Sequence, residues 1–167
     1  MASFVPRITV RNLQRNVQLD IVDLRSFAER ALELGLRLPM KHPTELQIVR
    51  EISVLIVSDR RIASLNRQFL DKLGPTDVIT FHHGEIFISA ETARRQARQF
   101  RTTLKHELRL YLAHGLLHLH GLNDQTAAGA RQMHETQERM ARVASKHQAP
   151  TFKCQRSSKR QTSKPQP

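Results

Sequence analysis

Apolar residues recur three or four apart from residue 20 to residue 36, at Ile21, Leu24, Phe27, Ala28 and Leu32, with Leu34 and Leu36 closing the pattern. That period predicts an amphipathic helix begun near Asp20 or Asp23. Upstream, "ITVRN" alternates and predicts a strand over residues 8–16. "EISVLIVS" (51–58) is β-branched and apolar on both faces, as a central strand requires. Ser58 or Asp59 can cap the following helix, "RRIASLNRQFL", in which Ile62, Leu65 and Phe69 share a face before Gly74-Pro75 breaks it. "DVITF" and "EIFIS" flank "HHG", which reads as a hairpin over 77–89. A basic helix, "AETARRQARQF", follows. A longer one, "TLKHELRLYLAHGLLHLH", carries Leu104, Leu108, Leu112, Leu116 and Leu119 along one side, and a last helix spans about 127–145. These elements predict an α+β fold with a small mixed β-sheet of about four strands, packed by helices.

At 167 residues the chain suits one domain, 1–147, followed by a basic tail, 148–167, whose Lys/Ser/Gln/Pro composition predicts disorder. No apolar run approaches the length of a membrane span. The acid-poor N-terminus, with Arg7, Arg11 and Arg15, would suit an organellar transit peptide, but its alternation favours a first strand. The single cysteine, Cys154, allows no internal disulfide and points to a reducing compartment, the cytoplasm.

Charge adds a partner class. Lysine and arginine total 27 against 15 acids, a net +12, of which the tail from Thr151 carries +5. The excess on the body points to a polyanion, nucleic acid first, against the plainer reading of a generically basic protein.

The stretch "HGLLHLHGLNDQ" carries the chemistry. His114 and His118 lie one helical turn apart, so both imidazoles can hold one cation from a single rigid element. Two bare histidines could equally be hydrogen-bonded core residues. Gly121 changes the balance, because it can end the helix in the left-handed conformation and return Asp124 toward the pair. Two neutral imidazoles and a carboxylate suit Zn²⁺ with one position open to water. His120 points away from the pair, and His134, His82 and His83 are weaker candidates. Glu107 and Tyr111 share the histidine face and are candidates to orient the ligands from behind. Zinc peptidases often place a glutamate directly after the first histidine, where this chain has Gly115. Its absence favours phosphodiester hydrolysis, which a metal can promote by polarising a phosphoryl oxygen.

The pattern His114, Gly115, Leu117, His118, Leu119, Gly121 and position 124 resembles the signature of the YbeY family, endoribonucleases of ribosomal RNA maturation. "LNRQF" (65–69), "PTDVITF" (75–81) and "GEIFIS" (84–89) occur in the family's order, so the resemblance covers most of residues 50–140. It implies a small single-domain α+β fold with a zincin-like central metal-binding helix and one Zn²⁺ per chain on His114, His118 and Asp124. His114 and His118 would be catalytic as well as ligating. It also implies action on single-stranded or ribosomal RNA in ribosome assembly and quality control, with the small ribosomal subunit or its proteins as partner, no membrane and no DNA specificity. Three features differ from the family pattern. The third ligand is commonly histidine and here is Asp124. Leu70 stands where many members have arginine. The connection after the "PTDV" segment is shortened to "TFHHGE".

Arg94, Arg95 and Arg98, with Arg101, Lys105 and Arg109 close behind, are candidates for phosphate contacts. Phe81 and Phe100 could stack on bases, with core packing the preferred reading of both. Thr76 and Asp77 are assigned to the start of the hairpin strand rather than to substrate. The competing functions are a zincin-like metallopeptidase, disfavoured by Gly115, and a non-catalytic ribosome-assembly factor with a structural metal.

Overall fold

The computed structural model describes residues 5–40 and 42–146, so the expected tail lies outside the described residues. Four strands, β1 (Arg7–Asn12), β2 (Glu51–Val57), β3 (Val78–Phe81) and β4 (Glu85–Ser89), form one mixed sheet in the order β1-β2-β4-β3. β2 runs parallel to both β1 and β4, and β3 closes the edge antiparallel to β4, with Val78 opposite Ile88. Among the described residues six helices surround it: α1 (Ile21–Leu36), α2 (Glu45–Ile48), α3 (Asp59–Leu70), α4 (Ala90–Phe100), α5 (Leu104–Leu119) and α6 (Ala127–Lys146).

The central strand separates two cores, as its double-sided apolar pattern requires. Ile52, Val54 and Ile56 face the larger core with Phe27 and Leu32 of α1, Leu112 and Leu116 of α5, and Met133 and Met140 of α6. Leu55 and Val57 face the smaller one, where Ile62 and Leu65 of α3 meet Ile79 and Phe87. α5 is buried almost all round, from Leu108 to Leu119, so it is the axial helix of the larger core rather than a one-sided surface helix.

Helix starts follow side-chain capping. Asp20, Ser58, Ser89 and Thr103 each accept a hydrogen bond from the backbone N–H three residues on. Asp20 and Ser58, rather than Asp23 and Asp59, are therefore the caps of α1 and α3. Asp77 sets the start of β3, its Oδ1 accepting from Val78 N at 2.9 Å and from Thr76 Oγ1 at 3.0 Å.

Two local expectations need correction. β1 ends at Asn12 rather than continuing to residue 16, because Gln14 turns inward. Its side chain donates to Val17 O and to Asn12 Oδ1 (2.9 Å each), and its Oε1 accepts from Val17 N. That local network satisfies backbone groups that a longer strand would have paired. Phe100 does not join the core. It stands 59% exposed at the end of α4, whereas Phe81 packs edge-to-face against Phe69 and Phe87.

Candidate metal centre

His114 and His118 occupy the last turn and a half of α5, on the strip of that helix which the core leaves partly open. The helix stops at His120, and Gly121 takes φ +97°, a conformation other residues adopt only with strain. Gly121 N donates to His118 O and Leu122 N to Leu117 O, both at 2.9 Å, so the reversal is tied back to the helix end. The returning chain carries Asp124 to the histidines.

The ligand atoms of His114, His118 and Asp124 all lie within 4.8 Å of one another. The two Nε2 atoms are 2.9 Å apart. Asp124 places Oδ2 at 3.7 Å from His114 Nε2 and Oδ1 at 3.9 Å from His118 Nε2. Zinc bonds of roughly 2.0–2.1 Å at tetrahedral angles put donor atoms about 3.3 Å apart. The three separations bracket that value, and the donor set is one Zn²⁺ accepts, so the residues fit the ion. Burial pushes the His118 imidazolium pKa below its usual range; neighbouring His114 reinforces the shift, while Asp124 and the Leu122 backbone oppose it. His118 is therefore neutral at pH 7 and available as a donor.

The ligands are oriented by groups other than those expected. His114 Nδ1 lies 2.9 Å from Gln137 Oε1 on α6. A proton on Nδ1 of His114, donated to Gln137, leaves the Nε2 lone pair for an ion. Glu107 and Tyr111 share the helical face but bond elsewhere: Glu107 accepts from Thr102 Oγ1, and Tyr111 donates to Gln96 Oε1 at 2.6 Å. Burial and the carboxylates of Asp77 and Glu107 raise the Tyr111 pKa, so it remains a hydroxyl donor. Nothing local in the sequence marks Gln137, which lies 23 residues from its partner on a different helix. His120 is turned away, as expected, with Nε2 3.3 Å from Pro39 O.

Gly115 explains the missing glutamate. A Cβ there would lie 2.7 Å from Ile86 Cγ2 and 3.1 Å from Thr80 Oγ1. This position is where α5 rests on β3 and β4, a quarter-turn away from the ligands. A glutamate would be driven into the sheet.

The ligands open onto a cleft of about 490 Å³ whose other walls include Leu70, Lys72, His82 and Thr80. Leu70 thus faces the site. Arg94, Arg95 and Arg98 line neither this cleft nor the cavity on the opposite side of His114. Arg95 is paired with Asp59 and donates to Thr92 Oγ1, and Arg94 reaches Asn16 O at 3.4 Å. Lys105 and Arg109 both bond Asp23 at 2.8 Å.

Fold and site together define a small α+β domain with two histidines and an aspartate that could hold a metal, on one helix and the turn that follows it. The chain belongs to the YbeY family: the family model described as Endoribonuclease YbeY matches residues 9–144. It is 44% identical over 103 residues to an Endoribonuclease YbeY of Anaeromyxobacter sp. (strain Fw109-5), covering 56% of this chain and 54% of the relative. An Endoribonuclease YbeY of Bacteroides fragilis (strain YCH46) is 38% identical over 100 residues, 56% of this chain and 71% of that protein. The chain thus spans about half the length of the Anaeromyxobacter relatives it matches. The fold is similar to the solution structure of TM1509 from Thermotoga maritima, with a TM-score of 0.57 at 27% identity, over 81% of this chain and 89% of that one. Among the described residues no helix is long and apolar enough to cross a membrane.

Proposed function

We propose that this protein is a zinc-dependent endoribonuclease that cuts single-stranded RNA, in the cytoplasm, during ribosomal RNA maturation and ribosome assembly and quality control. The observation that carries this reading is the convergence of His114, His118 and Asp124 at the wall of an open cleft, in a chain whose relatives are named endoribonucleases. Residues 1–147 would form the nuclease domain and the small ribosomal subunit would be its setting.

A Zn²⁺ held by the triad would polarise a phosphoryl oxygen and acidify an adjacent water. The protein groups hold everything else in place. Gln137 holds the His114 ring in place through its Nδ1. Asp124 adds the negative charge that keeps a dication in a strongly basic protein. Lys72, on the cleft wall, and the exposed Arg94 and Arg98 supply the positive field for the RNA backbone. A peptidase mechanism needs a base that the contact of Gly115 with β4 leaves no room for.

The test is a side-by-side assay of purified protein on single-stranded ribosomal RNA and on casein, with and without chelator. RNA cleavage that chelator abolishes, with casein intact, is the expected result. Chelator-sensitive casein cleavage would replace this reading with the peptidase. With cobalt in place of zinc, a spectrum showing four protein ligands and no exchangeable position would favour an assembly factor.

A further inference from the structure

A second cavity, about 370 Å³, adjoins the metal centre on the opposite side of His114 and includes Gln96, Phe100, Glu107, Tyr111 and Gln137 in its walls. Its volume lies in the range of small-ligand sites. Its chemistry is opposite to that of the molecule as a whole. Among the described residues, Asp77, Glu107 and Glu138 line it beside His106, His114 and His134, with no lysine or arginine, so a neutral group bearing N–H donors suits it better than a phosphate.

Glu107 is the informative residue. Its side chain is 4% exposed and lines the cavity. Its carboxylate accepts one hydrogen bond, from Thr102 Oγ1, and no cation pairs with it among the described residues. A buried carboxylate is expensive to leave so sparsely bonded, and each of its oxygens can accept further bonds. Around it, Gln96 and Gln137 spend their side-chain oxygens on Tyr111 and His114, which leaves both NH2 groups without a partner among the described residues. Phe100 offers an exposed aromatic face to the same cavity. A carboxylate acceptor, amide donors and an aromatic surface are together complementary to the Watson–Crick edge of guanine, whose N1–H and N2–H2 donors stand beside the O6 acceptor.

We propose that this cavity is a base subsite that receives an unstacked guanine of the RNA whose backbone lies at the metal centre. Glu107 accepts from its N1–H and N2–H2, and Phe100 stacks against the ring. The inference rests on the nuclease reading for its substrate, and it assigns a sequence preference to a site otherwise able to read only phosphates. It also accounts for the burial of Glu107 and Tyr111 on the histidine face without any contact to the ligands.

Two measurements on the full-length chain test it. The first is NMR titration with guanosine, adenosine and argininamide, which requires no cleavage. Guanosine is expected to bind at least about tenfold tighter than adenosine, the scale of one bidentate base contact. Glu107→Gln should remove that difference, and Phe100→Ala, a change at an exposed side chain, should weaken guanosine binding by about fivefold or more, the scale of losing one base stack. Argininamide binding without guanosine binding would overturn the proposal in favour of a protein partner, and equal or absent binding of the two nucleosides would also overturn it. The second is the ratio of cleavage rates beside a single guanosine and a single uridine in otherwise identical oligonucleotides. This ratio, compared within each protein, is expected to favour guanosine in wild type and to fall toward one in Glu107→Gln. If wild type cuts neither oligonucleotide, the nuclease reading fails, while the nucleoside titration still decides whether the cavity recognises guanine.

Discussion

The arginine-rich segment before the metal helix and the cleft at that helix's end make opposite use of charge. From Arg94 to Arg109 the sequence is dense in cations, but much of that charge is committed within the fold. Arg95 is tied to Asp59, and Lys105 and Arg109 to Asp23. Arg109 is itself buried, stacked 5.1 Å over the ring of Phe27 and donating to Ser145 Oγ. Among the described residues the cleft has a single lysine in its walls, yet it is where two histidines and a carboxylate converge. Density of charge along a sequence is thus a poor guide to charge that a ligand can meet. What matters is which acidic groups the fold has already placed opposite each cation.

The sharpest break of this contrast is Asp23→Ala. It strands the buried Arg109 guanidinium and is expected to cost about 3–5 kcal/mol of stability, the usual penalty for halving a buried pair. Urea denaturation measures this, and metal affinity in the surviving folded protein should be unchanged. A loss below about 1 kcal/mol would mean the pair is effectively solvated. Next is Gly115→Glu, which drives a side chain into Ile86. Overpacking of this kind costs about 1–3 kcal/mol, with further destabilisation from the buried carboxylate. A folded, stable variant that gained peptidase activity would contradict the placement of this position.

Gln137→Leu removes the partner of His114 Nδ1. Metal affinity should drop about 10- to 100-fold, as for other outer groups behind a ligand, measured by competition with a chromogenic chelator. The smallest effects concern the arginines of α4. Arg98→Ala should lower the salt-dependence slope of RNA binding by about one, whereas Arg95→Ala should change stability more than that slope.

Acidification separates the two regions as well. The pKa of His118 is held below its unfolded value of about 6.5, so the fold favours the neutral ring. That contribution is present above pH 6.5 and diminishes as pH falls below it. For Asp23 and Asp59, burial acts to raise the pKa, but hydrogen bonds and cations outweigh it and leave both lowered. Their stabilisation persists until pH falls through the carboxylate range, near and below 4. Between pH 7.5 and 5.5 the urea midpoint of the metal-free protein should therefore drop through the histidine, and His118→Phe should flatten that drop.

The sequence made most of the architecture readable because the longer elements announced themselves by local patterns: period 3.6 in α1, two-sided apolarity in β2, turn residues around His82–Gly84. The group that could hold a metal was readable for the same reason, since His114, His118, Gly121 and Asp124 sit within eleven residues. What escaped depends on contacts between distant segments. Gln137 orients His114 from α6, Asp23 neutralises cations about 80 residues away, and Phe100 is left exposed where α4 ends. The short α2 was also missed, because a single turn leaves no periodicity to detect. Glu107 and Tyr111 had the correct helical face but the wrong partners, since a shared face places side chains near one another without deciding which bonds they make.

The central claim is that the triad holds the ion that RNA cleavage requires. Its most direct test measures bound zinc and cleavage of single-stranded ribosomal RNA in parallel, on wild type, chelated wild type and an identically prepared His118→Ala variant. About one zinc per chain and cleavage in wild type alone, with both lost in the other two samples, is the result this account predicts. Undiminished cleavage by His118→Ala, or a full zinc complement in that variant, would contradict it.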